Sequence, residues 1–310
     1  MRRISVATGK VFEIAGGPDA GFALLRRTGF EGVQFGLGMF GLSASAVRSH
    51  KPSVMDEPLD TLLEILQPYK EAAEKHGVAV TQVHAPFPMW MPHDEPLEVR
   101  MKDLTEKSIA IAGFLKSPYC VVHPGGSPIA LERQTPEEER AVNLRLYGAL
   151  IPTLKKYHVV VLMENLFSHG TAAGVEVASG CTEFGEVNDW LDTLNAQAGA
   201  ECFGFCLDTG HCNLARVNLP RAVRQLGPRL KALHIQDNGG HLDDHRPPYA
   251  GTIDWELFLQ ALADVGYQGD LNFEVGTGAF PPPLAEQFYT LLGLTGQYFR
   301  RRLDELEGRA

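Results

Sequence analysis

The chain has 310 residues, 44% hydrophobic and 21% charged, enough to bury roughly three quarters of its unfolded surface as one large domain or two smaller ones. Lysine and arginine number 28 against 38 aspartates and glutamates, and the formal charge of −10 argues against a broad nucleic-acid footprint. No apolar run approaches the ~18 residues of a membrane helix, and Lys10 and Glu13 interrupt any stretch after Arg2-Arg3 that could pass for a signal peptide, so a cytoplasmic chain starting at Met1 is expected.

From the N-terminus onward, short β-rich runs alternate with longer amphipathic stretches. Strands are predicted near residues 4–8, 32–36, 78–84, 119–123, 158–164, 203–208, 230–236 and 270–275. Helices are predicted over Leu59 to His76, Glu137 to Lys156, and Trp255 to Val265 with Asp254 as cap. A final amphipathic helix from about Leu284 to Leu306, entered through an ordered turn at Phe280 to Pro283, is expected to cover the core and not a partner. Tyr119-Cys-Val-Val and Val159 to Met163 are apolar on successive residues, as in a parallel sheet buried on both faces. Eight strand–helix units in this length fit an α/β chain folded as a single (β/α)8 TIM barrel over residues 1–310, with its active site at the C-terminal strand ends. A doubly wound sheet is the alternative, but no GxGxxG follows the first strand. Cys120, Cys181, Cys202, Cys206 and Cys212 are odd in number without CxxC spacing and read as reduced core thiols. The runs Arg26-Arg27 and Arg300-Arg301-Arg302 read as solvated helix faces.

Most of these strands end on a residue able to bind a cation or move a proton. In order these are Val83-His84, Val122-His123, Met163-Glu164, Leu207-Asp208-Thr-Gly-His211, Leu233-His234 and Phe273-Glu274, with Asp243-Asp244-His245 in the loop after the seventh strand. In a barrel, Glu164, Asp208, His234 and Glu274 are neighbours around half of the mouth. Three carboxylates and an imidazole suit Mn²⁺ or Mg²⁺ and are compatible with Zn²⁺ or Co²⁺. His84, His123, His211, Asp243 and His245 are more ligands than one ion can take beside those four, so they hold further metal or bind substrate. His50, His76, His93, His158, His169 and His241 lack the strand-end setting and are expected at the surface.

At these residues the chain resembles the xylose-isomerase-like superfamily of (β/α)8 barrels, which includes sugar (phosphate) isomerases and epimerases and endonuclease IV. The resemblance is most specific at His234-Ile-Gln-Asp-Asn-Gly-Gly, Asp243-Asp-His245 and Gly251-Thr-Ile-Asp-Trp255. It implies that Glu164, Asp208, His234 and Glu274 hold one metal, that Glu164 and Glu274 double as acid and base, and that His211 contacts substrate. Endonuclease IV is similar at all nine positions, which implies a second possible metal set of His123, His211, Asp243 and His245 with His84. The arginine of ketose 3-epimerases shortly after the seventh-strand histidine is absent, since Gly239-Gly240 stand there, and this argues against a free ketohexose.

The leading expectation is therefore an isomerase or epimerase of a sugar, sugar phosphate or sugar-derived acid, working through a metal-bound enediolate, with Glu164 and Glu274 catalytic and His84 and His211 on the substrate. The expected partner is a small molecule, with neither nucleic acid nor membrane and with the oligomeric state open. A multinuclear zinc phosphoesterase is the alternative, and a binding module without turnover is a third reading. Gly239-Gly240 and Gly276-Thr277-Gly278 fit turns better than a phosphate cradle. Met89-Trp90-Met91 fits loop packing better than an apolar wall over the site.

Overall fold

Side chains alternate between the two faces of a strand, so a residue two places beyond an inward apolar position also points inward. The computed structural model describes residues 2–126, 134–169, 176–178, 180–277 and 280–309. Its strands are β1 (Ile4–Ala7), β2 (Gly32–Gly36), β3 (Ala79–His84), β4 (Tyr119–Val122), β5 (Val160–Glu164), β6 (Phe167–His169), β7 (Glu176–Ala178), β8 (Phe203–Asp208), β9 (Leu230–His234) and β10 (Leu271–Phe273). Eight of them pair in parallel in the order β10-β1-β2-β3-β4-β5-β8-β9. The ring closes where Ile235 N donates to Asn272 O at 2.8 Å and Glu274 N donates to Ile235 O at 3.0 Å. The fold is the expected (β/α)8 barrel.

Both faces of these strands are buried, which explains the unbroken apolar runs. Val121, Leu162, Cys206 and Ala232 fill the barrel interior, while Cys120, Val122, Val161 and Met163 join the larger core beneath the helices. Two residues beyond the interior apolar set, the same inward positions become His123, Glu164, Asp208 and His234. The spacing of two thus turns an apolar plug into a polar mouth at the C-terminal end.

The helix over Leu59–His76 spans the predicted residues. That over Trp255–Asp264 is capped by Asp254, which accepts from Leu257 N at 3.0 Å. The single helix expected from Glu137 to Lys156 is instead two, Pro136–Gly148 and Ile151–Tyr157. Pro152 has no N–H to give to the preceding turn, and the chain restarts there. The hairpin of β6 and β7 was not foreseen, because three-residue strands carry too little periodicity. The final helix, Ala285–Leu306, packs against β1 and β10. Gly296 permits this approach: a Cβ there would lie 2.4 Å from Ile4 Cγ2 on β1 and 3.0 Å from Phe273 Cε2 on β10.

All five cysteines are free and buried. Arg27, Arg300 and Arg302 pair with Glu286, Glu31 and Glu256 at the surface. Among the described residues no helix is long and apolar enough to cross a membrane.

Candidate metal centre and active site

Glu164 is the hub of the mouth. Its Oε1 lies 2.9 Å from His234 Nδ1 and 3.7 Å from His211 Nδ1, and its Oε2 lies 3.2 Å from His123 Nε2 and 3.3 Å from His84 Nε2. His234 Nδ1 is also 3.2 Å from Glu274 Oε2, so one nitrogen stands between two carboxylates. His234 Nε2 faces Gln82 Oε1 at 3.3 Å in the barrel interior, which fixes Nδ1 as the nitrogen turned to the mouth.

Asp208 ends β8 and caps the short helix Thr209–Leu214, accepting from His211 N at 2.6 Å through Oδ1. Asn165 clamps the backbone there, donating to Asp208 O and accepting from Asp208 N, each at 2.9 Å. The second oxygen, Asp208 Oδ2, is buried with no hydrogen-bond partner. A carboxylate oxygen sealed from water and given no donor is a costly arrangement, and a cation would resolve it. Ligand atoms of Glu164, Asp208, His234 and Glu274 lie within 4.8 Å of one another. The residues fit a divalent ion.

Three further imidazoles are anchored alike, each Nδ1 against a carbonyl oxygen: His84 to Ala85 O at 2.8 Å, His211 to Asn165 O at 2.8 Å and His245 to Glu274 O at 2.7 Å. That leaves Nε2 free to face the site, the usual device for orienting a ligand or a hydrogen-bond donor. Asp243 Oδ2 receives two of them, His245 Nε2 at 3.3 Å and His211 Nε2 at 3.6 Å. Gln236 Nε2 ties the two sets together, 2.9 Å from Asp243 Oδ1 and 3.3 Å from Asp208 Oδ1. His211, Asp243 and His245 form one group able to hold a cation, and His84, His123 and Glu164 form another.

The loop bearing Asp243 and His245 is built on Asp237. Its fully buried carboxylate accepts from the backbone N–H of Asn238, Tyr249, Thr252 and Ile253 and from Trp255 Nε1, at 2.9 to 3.3 Å. Gly251 is required here, because a Cβ would fall 2.2 Å from Asp237 Oδ1. The most specific stretch of the sequence resemblance is therefore largely the frame of this loop.

Burial pushes the Asp208 carboxyl up to about 7, with the charges of Glu274 and Glu164 adding to the rise and that of His211 opposing it. Burial also disfavours the charge of Glu164, yet His234 and His123 hold it well below the usual carboxylate range. Against the same cost, the carboxylates of Glu164 and Glu274 raise His234 well above the usual imidazole range, and those of Asp208 and Asp243 do the same for His211. His123 differs: burial outweighs Glu164 and its pKa falls.

A cavity of about 460 Å³ opens on Gln34, His84, His245 and Glu274, with Met39, Leu42 and Phe87 among its apolar lining. Phe87 stacks 4.3 Å from the His123 ring and meets His84 at 5.9 Å, a role the sequence reading did not give it. Met89 is buried in the core and Trp90 lines a separate hollow with Glu98 and Arg145. All nine expected residues meet at the mouth. His50, His93, His158 and His241 are exposed and His76 is partly buried against Asp19; the side chain of His169 and residue Gly278 lie outside the described residues. Gly240 N is taken by Asn238 Oδ1 at 2.9 Å, as in a turn. Gln34, Gln82, Asn165, Gln236 and Asp237 were missed. Their signal was a polar residue set among apolar neighbours in a strand, as in Val33-Gln34-Phe35, or just beyond a strand end.

The model of the xylose isomerase-like TIM barrel family matches residues 22–288. The chain belongs to that family. It is 37% identical over 81 residues to an uncharacterized protein of Sinorhizobium fredii, covering 26% of each chain. It is 32% identical over 84 residues to a D-psicose 3-epimerase of Enterocloster bolteae, covering 27% of this chain and 25% of the relative. The matched segments thus span about a quarter of these curated relatives. A solved L-ribulose 3-epimerase superimposes with a TM-score of 0.70 at 16% identity, over 100% of this chain and 97% of the other, a likeness of fold.

Proposed function

We propose that this protein is a divalent-metal-dependent epimerase or isomerase of a sugar or keto-sugar derivative. The observation that carries the reading is that Glu164 and Glu274, from β5 and from the residue after β10, both reach His234 Nδ1, at 2.9 and 3.2 Å. Two carboxylates at one point offer both an acceptor and a donor of protons, which the exchange of hydrogen at a carbon beside a carbonyl requires. Glu164, Asp208, His234 and Glu274 would hold the ion. An ion held by these residues would supply Lewis-acid polarisation of a substrate carbonyl and its neighbouring hydroxyl.

The side chains then divide the work. One glutamate oxygen takes the proton from the carbon beside the carbonyl, and the electron pair moves into the enediolate. The other glutamate returns a proton to the opposite face of that carbon for epimerisation; for isomerisation the proton goes to the former carbonyl carbon, while the proton of the neighbouring hydroxyl passes to the former carbonyl oxygen and that hydroxyl becomes the new carbonyl. Glu274 and His84 line the cavity, and His84 Nε2 can donate to a substrate oxygen there. His211, with Nδ1 held by Asn165 O, offers its Nε2 for the same purpose. Phe87 and Met39 cover apolar faces of the substrate and exclude water. The fold shared with L-ribulose 3-epimerase and the segment shared with D-psicose 3-epimerase support this reading. A multinuclear phosphoesterase would draw further ions to His123, His211, Asp243 and His245; it is the weaker reading, because the likenesses of fold and of segment are to sugar epimerases.

Deuterium uptake tests the proposal. With Mn²⁺-loaded protein in D₂O, D-psicose, L-ribulose, D-tagatose and a 3-keto-D-glucoside are followed by NMR. Label entering beside the carbonyl of at least one of them, with change of configuration or carbonyl position, is expected. Absence of label in all four together with cleavage of a phosphodiester overturns it.

A further inference from the structure

Glu274 does not stand free in the mouth. Gln34 Nε2 donates to Glu274 Oε1 at 2.9 Å, and Gln34 Oε1 in turn accepts from Asn272 Nδ2 at 2.8 Å. Asn272 is 1% exposed and Gln34, though it borders the cavity, is 2% exposed, so little water reaches either amide. Gln34 lies on β2 and Asn272 on β10, with β1 between them. The reach across β1 is possible because the inward residues there, Ser5 and Ala7, are small, and they sit in register with Asn272 and Gln34. An apolar side chain at either amide would fill the same space without the hydrogen bonds.

The chain of amides has a direction. An ionised carboxylate only accepts, so Gln34 must present its NH₂ group to Glu274 and its carbonyl oxygen to Asn272. Asn272 then must present its own NH₂ group. Reversing either amide sets oxygen against oxygen in a buried place, which costs more than the lost bond. Glu274 Oε1 is thereby occupied, and Oε2, the oxygen beside His234 Nδ1 at 3.2 Å, is the one left facing the site.

We infer that Gln34 and Asn272 are positioning residues: the relay Asn272–Gln34–Glu274 anchors Oε1 of Glu274 and reserves Oε2 for the chemistry of the mouth. The catalytic part of this inference rests on the proposed function; the hydrogen-bonded relay stands without it. Asn272 acts without touching the cavity, and Gln34 acts through Glu274.

The test joins a spectroscopic readout to kinetics. In the full-length metal-free protein, labelled with ¹⁵N, the Gln34 side-chain amide is expected as a pair of unequal proton signals, one shifted downfield and slow to exchange with solvent. Asn272→Leu should collapse that difference and speed the exchange while the fold melts as one transition. With whichever of the four sugars the wild type turns over, the same variant should lose about 10- to 100-fold in kcat, as expected for a hydrogen bond to a charged group, with KM within about twofold. Gln34→Leu should match it, and the coupling between Asn272 and Gln34 should appear as a double variant no worse than either single one. If Asn272→Leu does not fold, Asn272→Ser, too short to reach Gln34, takes its place. An unchanged Gln34 amide signal in the Asn272 variant overturns the relay, even where no substrate is found. An altered signal with kcat within twofold of wild type overturns its role in positioning.

Discussion

Glu164 and Glu274 converge on a single atom, His234 Nδ1, at 2.9 and 3.2 Å. If they form the acid and base pair, replacing either carboxylate by its amide removes the proton carrier and keeps the shape. Glu274→Gln is expected to lower turnover by about 100-fold or more, with an unfolding midpoint within about 3 °C of wild type. Glu164→Gln should lose as much activity and also bind metal more weakly. Retention of more than about a tenth of the wild-type rate by Glu274→Gln refutes the assignment.

The barrel and the nine polar residues at its mouth were legible because both follow from the period of two along a buried strand. Leu162 and Glu164, Cys206 and Asp208, and Ala232 and His234 are inward neighbours, so the switch from apolar to polar marks the strand end in the sequence itself. What could not be read is of two kinds. Gln34, Gln82 and Asn272 look like flaws in apolar runs, and only the closed barrel shows that Gln34 reaches Glu274, Gln82 reaches His234 and Asn272 reaches Gln34. Phe87 and Asp237 act through loop conformations that no period encodes. The break before Pro152 was visible in principle, since proline limits the preceding helix, but the apolar pattern on both sides concealed it.

Asp208 Oδ2 is buried and without a partner, and this singles out Asp208 for the metal. Asp208→Asn keeps the cap on His211 N through Oδ1 but replaces the orphan oxygen by a donor. We expect Mn²⁺ affinity to fall at least about 100-fold, measured by titration calorimetry, with little change in fold. Wild-type protein should hold one ion per chain by elemental analysis. Two or three tightly held zinc ions would move the balance to the phosphoesterase.

Metal uptake should depend steeply on pH, and its sign follows from the protonation of the mouth. Asp208 is pushed up to about 7 in the metal-free chain, and His234 is held protonated beside Glu164 and Glu274. Both must be deprotonated to bind a cation, so in the metal-bound form Asp208 stays ionised well below 7. Affinity is then greatest above the raised pKa and falls as pH drops through about 7, by about one to two decades per pH unit as one or both groups release a proton. Calorimetry in buffers of different ionisation enthalpy counts those protons. An affinity that is flat between pH 6 and 8 would contradict the charge states drawn here.

Asp237 should matter to stability more than any residue around it in its loop. Five donors converge on its carboxylate, with Asn238 N, Thr252 N and Ile253 N on Oδ1 and Tyr249 N and Trp255 Nε1 on Oδ2. Asp237→Asn keeps the volume but can satisfy only one of these groups of donors, since its NH₂ must face the other. Opposed donors in a fully buried place should cost about 3–5 kcal/mol, read from chemical denaturation. Asp244→Asn is the control, because Asp244 pairs with a half-exposed Arg246 and its loss should stay within about 0.5 kcal/mol. The damage should also be local. Amide exchange should rise first across residues 238–254, and with it the His245 Nδ1 contact to Glu274 O should loosen, so that Asp243 and His245 lose their places while Glu164, Asp208 and His234 keep theirs. Equal losses from Asp237→Asn and Asp244→Asn would show that the loop is held by its apolar packing instead.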